Sequence, residues 1–177
     1  MMRYDQAAAT AALGYIATKV QPLDMHKAFK LLYLAEKACL ERFGRLFARD
    51  QYIAMDFGPV PSITYDLTKA VKGESRSPCV TPEMVVEFAR SIEVKGDFIR
   101  AKAEPDIGEL SAGALKCLDD AISKYGTWTF DQLTKETHDA AWDAARARYV
   151  PGRITVLDMA RALPHSEALV AHLTYDQ

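Results

Sequence analysis

Apolar residues recur at helical spacing in two successive segments near the N-terminus. The first segment follows Asp5, a residue type that caps helices well, and ends before Pro22. The second opens at Asp24 and runs to about Phe43, with an apolar face so wide that it predicts burial on most sides. Its polar positions are confined mainly to one stripe, formed by His26, Lys30, Lys37 and Glu41. We therefore predict that this second helix is the central element of the fold.

The middle of the chain changes to patterns typical of β-structure. Residues 51–57 alternate, with Ile53, Met55 and Phe57 on the face predicted to be half-buried, and the Gly-Pro-Val-Pro sequence at 58–61 is expected to stop this strand as a fixed turn. Residues 73–82 have the composition of a loop. Residues 88–94 and 98–103 then suggest an antiparallel hairpin around Lys95-Gly96-Asp97, although 82–90 also fits one or two helical turns.

Helix boundary signals return in the last third. Ser111 is placed to cap one helix, and Thr129 with Gln132 forms a capping box for the next. Further helices are predicted at about 139–148, 155–163 and 164–173, with a break at Pro151-Gly152. Together these elements predict a single α+β domain over residues 1–177, predominantly helical. Its central buried helix is surrounded by other helices and a small antiparallel sheet, which consists of one strand plus a hairpin.

Composition narrows the classes of function. The chain has 177 residues with a formal net charge of −2, so it lacks the positive field with which most nucleic-acid binders attract phosphates. The arginines at 146, 148, 153 and 161 are interleaved with Asp143 and Asp158, and are interpreted as a solvated helical face. No apolar stretch approaches the roughly 20 residues that span a bilayer, and a cytoplasmic location is expected.

The sequence offers few groups for catalysis or for metal binding. Cys39, Cys79 and Cys117 are widely spaced and are interpreted as ordinary reduced thiols, and no metal or other cofactor is expected. His26, His165 and His172 are predicted at the surface. His138 lies between two predicted helices, where it can fix the interhelical turn through a hydrogen bond, with Trp142 covering it four residues on. We do not expect the chain to be an enzyme.

Several short motifs occur in an order that is typical of one family. These motifs are Lys30-Leu31-Leu32-Tyr33-Leu34-Ala35-Glu36, Phe43-Gly44-Arg45, Asp56-Phe57-Gly58-Pro59-Val60-Pro61, Tyr125-Gly126, Leu133-Thr134 and Thr137-His138-Asp139-Ala140-Ala141-Trp142. Over about residues 24–148 the chain resembles the Panacea-domain antitoxins, and within them the SocA-like branch. The family's motifs fall here on Tyr33, Gly58, Pro59, Val60, His138 and Trp142. Tyr33, His138 and Trp142 are candidates for a shared cleft.

The resemblance implies an antitoxin that binds and neutralises a toxin protein encoded nearby. The SocA-like branch further implies an adaptor that delivers the toxin to the ClpXP protease. The segments outside the strongest match, 1–23 and 150–177, are expected to carry the surface that binds the partner. Two alternatives remain open from the residues alone. One is a hydrolase-like enzyme centred on His138, and the other is a DNA-binding repressor of its own operon that uses the arginines.

Overall fold

The computed structural model describes residues 3–74 and 77–175, and within these ranges the protein is predominantly helical. The helices are α1 (Gln6–Lys19), α2 (Met25–Phe43), α3 (Ser62–Val71), α4 (Pro82–Ser91), α5 (Ala112–Tyr125), α6 (Phe130–Thr137), α7 (Ala140–Arg148), α8 (Val156–Arg161) and α9 (Glu167–Tyr175). The strands are β1 (Leu23–Asp24), β2 (Tyr52–Met55), β3 (Gly58–Pro61), β4 (Ile92–Lys95), β5 (Phe98–Ala101) and β6 (Gly152–Ile154). The predicted class, a mainly helical α+β fold, is confirmed.

The central helix is α2, as its wide apolar face predicted. Asp24 caps its first turn by accepting a hydrogen bond from the Lys27 amide at 2.8 Å, and Gly44 ends it in a left-handed conformation with φ of 66°. The apolar face of α2 is buried against α5, α1 and α6, and it also contacts β3 and α8. Its polar stripe is largely drawn into the fold, since Lys30 is only 1% exposed and His26 and Lys37 are half-buried, while Glu41 is exposed.

Small residues explain how α1 packs so closely against its neighbours. Its alanines at 8, 9, 11, 12 and 17 are buried, together with Leu13 and Ile16. Methyl side chains let the helix approach α2, α4 and α5 at short range. The buried face of the N-terminal helix therefore belongs to the core of the fold.

Two three-stranded antiparallel sheets replace the single small sheet that was predicted. One has the order β1-β5-β4, and its β4–β5 hairpin turns at Gly96-Asp97 as predicted, although residues 82–91 form helix α4 rather than the start of a strand. The other has the order β3-β2-β6. Residues 58–61 form strand β3 rather than a turn, because Gly58 to Pro61 pair with Met55 to Tyr52, and the chain reverses at Asp56-Phe57.

The face of β2 that was predicted to be buried is the exposed one. Tyr52 and Ala54 point into the core, with exposures of 2% and 0%, while Met55 is 40% exposed. The reason lies in the buried neighbours of this strand. The Tyr52 ring packs edge-on against Tyr33 of α2, with the ring centroids 5.1 Å apart, and its hydroxyl is close to the buried Glu36 carboxylate. A polar group at the end of an apolar ring made Tyr52 resemble a surface residue in the sequence pattern.

Candidate functional site

The β2–β3 hairpin, residues 52–61, is bound by side chains from one face of α2. His26, Lys30, Tyr33 and Lys37 follow one another at spacings of three or four residues, so the helix presents them on one side. The Lys30 ammonium donates a hydrogen bond to the Pro59 carbonyl at 2.8 Å. Burial lowers the pKa of Lys30 to about 7, since desolvation penalises the charged amine.

Gly58 allows the hairpin to approach Lys30 this closely. Its φ of 101° is a conformation that other residues rarely adopt, and a Cβ atom built on it would lie 2.7 Å from Thr137 Oγ1 and 2.9 Å from Lys30 Cε. The Gly-Pro-Val sequence is thus the point where β3 passes between α2 and the end of α6. Pro59 and Gly58 are buried, and Val60 is half-buried.

His138 and Trp142 bind the turn of the same hairpin from the other side. Their rings stack with centroids 3.8 Å apart and planes 10° apart, so Trp142 covers His138. Trp142 Nε1 donates to the Met55 carbonyl at 2.9 Å, and the His138 ring faces the backbone of Asp56. The pKa of His138 is lowered, chiefly by burial and then by the positive charge of Lys30. The His138 ring is therefore held by stacking on its face, while its Nε2 atom is buried without a hydrogen-bond partner among the described residues.

Asp139 connects Tyr33 with the His138–Trp142 pair. Its carboxylate accepts hydrogen bonds from the Tyr33 hydroxyl at 3.0 Å and from the Lys37 ammonium at 2.5 Å. The same carboxylate caps α7 by accepting from the Trp142 amide at 3.0 Å. Tyr33 itself is 0% exposed, so it lies in the core beneath this group, whereas His138 and Trp142 are half-buried. The structure thus brings the motif residues together around one hairpin.

Two further side chains, His26 and Arg146, also contact the hairpin, although neither is among the motif residues that the sequence indicated. His26 is half-buried rather than at the surface, with its Nε2 atom 3.1 Å from Thr134 Oγ1 and its ring at the backbone of Phe57. Burial lowers the pKa of His26 to about 4. Arg146 donates to the Ala54 carbonyl at 3.3 Å and to the Asp56 carboxylate at 2.9 Å.

Five side chains therefore meet the hairpin backbone almost residue by residue, and three of them, Arg146, Trp142 and Lys30, donate hydrogen bonds to it. Arg146 binds at Ala54, Trp142 at Met55, His138 at Asp56, His26 at Phe57 and Lys30 at Pro59. A hairpin held this way has little freedom to change shape. We call this set of contacts the hairpin clamp.

The predicted solvated face of arginines is only partly observed. Arg153 and Arg161 are exposed, but Arg148 binds the buried Asp158 carboxylate through two contacts at 2.6 and 2.9 Å, and Arg146 belongs to the hairpin clamp. Asp158 also forms a capping box with Thr155 at the start of α8. These two arginines thus hold α7 against β2 and α8.

The hairpin turn leaves a cluster of exposed apolar side chains at its tip. Phe57 is 62% exposed, Phe130 at the start of α6 is 47% exposed, and Met55 is 40% exposed. The Phe57 and Phe130 rings meet edge to face with centroids 5.4 Å apart, and His26 stacks on Phe130 at 3.9 Å. We call these four residues the tip patch. A sequence pattern that placed Met55 and Phe57 in the core could not reveal it.

The thiols and other titratable groups of the described residues show no metal-binding arrangement. Within residues 3–74 and 77–175, no three His, Cys, Asp or Glu side chains are grouped so that they could hold a metal ion. Cys39, Cys79 and Cys117 are all free thiols, and Cys39 on α2 lies against Cys117 on α5. None of the helices in this part of the chain is long and apolar enough to cross a bilayer.

The fold and the hairpin clamp define a helical α+β domain whose sequence motifs serve to organise one β-hairpin. Comparison with known protein families matches residues 29–143 to the family described as antitoxin SocA-like, Panacea domain. The chain belongs to this family, and the resemblance inferred from the motifs is confirmed. Comparison with curated proteins and with solved structures finds no match.

Proposed function

We propose that this protein is the antitoxin of a toxin–antitoxin pair, and that it neutralises a toxin protein encoded next to it by binding that protein directly. Membership of the Panacea-domain antitoxin family carries the proposal. The family match covers the hairpin and three residues of the hairpin clamp, Lys30, His138 and Trp142, while His26 and Arg146 lie just outside it. We further propose that the bound toxin is handed to the ClpXP protease, as the SocA-like resemblance implies.

The geometry around His138 supports a binding role for the domain over the hydrolase alternative. General-base catalysis requires a histidine edge that can reach a substrate. Here the ring is stacked on Trp142 and faces the Asp56 backbone, and both contacts fix the hairpin. The arginine contacts likewise give no support to the repressor alternative, because Arg146 and Arg148 are bound to Asp56 and Asp158.

The deciding experiment expresses the neighbouring gene product with and without this protein. We expect the neighbour to arrest growth alone, and growth to recover when both are present. The half-life of the neighbour is followed in cells with and without ClpXP. Recovery that persists without the protease, at unchanged toxin lifetime, would refute delivery to ClpXP and leave neutralisation by binding. A harmless neighbour, or purified proteins that fail to associate, would refute the antitoxin proposal itself.

A His138→Gln variant tests the structural role of the histidine in the same cells. The replacement keeps a polar group but removes the aromatic stack, so we expect a loss of stability of about 1 kcal/mol or more, with neutralisation retained in the folded fraction. Urea unfolding measures the first quantity and growth recovery measures the second. Complete loss of neutralisation at unchanged stability would instead support a catalytic histidine.

A further inference from the structure

The tip patch differs from the other exposed apolar residues of the protein because its rings contact one another. Phe57 meets Phe130 edge to face, and Phe130 is stacked on His26. Other exposed apolar side chains lie apart from one another on different elements, such as Phe98 on β5, Val86 on α4 and Tyr149 after α7. Scattered apolar residues are normal on a protein surface, whereas grouped aromatic residues are typical of binding sites.

The tip patch is also held rigidly, which is favourable for binding. Hydrogen bonds from Trp142 and Lys30 hold the hairpin backbone on either side of Phe57, at the carbonyls of Met55 and Pro59, and Phe130 follows Thr129, the cap residue of α6. A surface that is already ordered before it meets its partner loses less conformational entropy on binding. The exposed Phe57 ring stands on this fixed backbone and is therefore suited to insert into a pocket of another protein.

The rim of the tip patch has a charge that indicates the chemistry of the partner. Asp56 precedes Phe57 and its side chain is 78% exposed, while the exposed Asp131 and Asp143 follow Phe130 and Trp142 directly. The same elements also carry the exposed Glu136 of α6 and three cations, of which Lys135 is exposed, Arg146 is bound to Asp56 and Arg148 is bound to Asp158. Four carboxylates against three cations leave the rim net negative, so a complementary surface is net positive.

We propose that the tip patch binds the toxin, and that the toxin segment it accepts has an apolar pocket for Phe57 bordered by Lys or Arg side chains. This inference rests on the proposed antitoxin function and assigns it a surface. Phe57 is the central anchor, Phe130 supports it from α6, and the aspartates orient the partner. The three apolar residues of this surface, Met55, Phe57 and Phe130, lie within the family-matched segment, rather than in the outer segments that the sequence suggested.

The test measures the affinity of this protein for the purified product of the neighbouring gene. We expect Phe57→Ser to weaken binding by at least about tenfold, as is typical for loss of a central aromatic anchor. Phe98→Ser is the matched control, because Phe98 also follows an aspartate at a hairpin turn and is 45% exposed. We expect this control to bind like the wild type. Thermal unfolding of each variant shows whether it is folded.

A second pair of variants tests the charge of the rim without altering the aromatic rings. We expect Asp131→Lys with Asp143→Lys to slow association severalfold at low salt, and high salt to remove most of that difference. The control is Glu87→Lys with Glu104→Lys, which changes the net charge equally at exposed positions on α4 and after β5.

The outcomes separate this proposal from the antitoxin function. If the wild-type protein does not bind the neighbour, the proposed function fails. If the wild type binds and Phe57→Ser binds as tightly as Phe98→Ser, the antitoxin function stands and the tip patch is not its surface. If Phe57→Ser abolishes self-association without changing toxin affinity, the tip patch is a contact between copies of this chain, and the proposal is overturned.

Discussion

The Lys30 ammonium occupies a position that is costly for a cation. It is 1% exposed, and its hydrogen-bond acceptor is the neutral carbonyl of Pro59 rather than a carboxylate. Burial of a charged group without an opposite charge favours loss of the proton, which is why the pKa of Lys30 falls to about 7. At neutral pH the hairpin clamp therefore depends on a lysine that is close to half-protonated.

This pKa predicts how the stability of the fold depends on pH. Between about 7 and the ordinary value of 10.5, the folded protein holds Lys30 neutral while the unfolded chain binds a proton there. The free energy of unfolding therefore rises with pH across this window. This gain is lost as the pH falls through about 7, where Lys30 becomes protonated in the folded protein as well. From pH 7 to pH 9 we expect a gain on the order of 2 kcal/mol in the free energy of unfolding.

Urea unfolding at several pH values, with Lys30→Met beside the wild type, measures this contribution. We expect the rise above pH 7 to disappear in Lys30→Met. Lys27→Met is the control, since Lys27 lies on the same turn of α2 but donates to the Gly126 carbonyl at the surface side of the helix. Parallel pH profiles for the wild type and Lys30→Met would show that Lys30 keeps an ordinary pKa.

The conformation of Gly58 leads to a second prediction at this scale. Gly58→Ala places a methyl group 2.7 Å from Thr137 Oγ1 and imposes a side chain at φ of 101°. We expect it to destabilise the protein by about 2–4 kcal/mol, combining backbone strain with overpacking. Gly73→Ala has a similar φ of 86° but nothing within 4 Å of the new atom, so it isolates the strain. Equal losses of stability in the two variants would show that the contact with Thr137 is unimportant.

Single residues show where sequence reasoning succeeds and where it stops. Residues four apart in a helical segment lie next to each other, so the sequence alone could predict that Trp142 covers His138. The burial of Lys30 could not, because only the arrival of β3 against α2 encloses that position. Tyr52 and Met55 were assigned to the wrong faces because alternation gives the period of a strand and not which face meets the core.

Among the elements, α2 supplies the largest continuous part of the core. From Ala28 to Glu36 all of its residues are buried, on every side of the helix. We expect the amides of residues 31–38 to exchange with solvent far more slowly than those of 77–81, which lie in the loop before α4. Comparable exchange rates in the two segments would contradict the central role of α2.

A substitution on α2 tests the same point by a change in stability. Leu32→Ala removes a side chain that is 2% exposed, and we expect a cost of about 2–5 kcal/mol in the free energy of unfolding. Leu169→Ala on α9 is the control, since that leucine is only partly buried and its helix has no buried residue. A cost near zero for Leu32→Ala would place its side chain outside the core.

Helices were predicted better than sheets because their signals are local. The caps at Asp5, Asp24, Ser111, Thr129 and Asp139 each lie within three residues of the amide that they accept from. By contrast, β6 pairs with β2 about a hundred residues away in sequence. The three residues of β6 are too few to show the alternation that predicts a strand. The second sheet therefore could not be predicted from the sequence.

At the scale of the whole molecule, the C-terminal helix is the element least joined to the rest. None of the described residues of α9 is buried, and the helix packs mainly on α8. We expect a chain that ends at residue 163 to unfold cooperatively with a loss of about 1–2 kcal/mol and to retain toxin affinity. Loss of affinity in this folded truncation would return the partner surface to the C-terminal segment, where the sequence first suggested it.

The residues of the hairpin clamp lie far apart in the sequence, so the clamp can form only late in the synthesis of the chain. The hairpin and the two α2 side chains that contact it leave the ribosome early, but His138, Trp142 and Arg146 follow only after four more helices have been made. At ordinary translation rates this delay is on the order of ten seconds. A nascent or prematurely terminated chain therefore displays an unfixed hairpin, and an aromatic tip fit to engage a partner exists only once α7 has been translated.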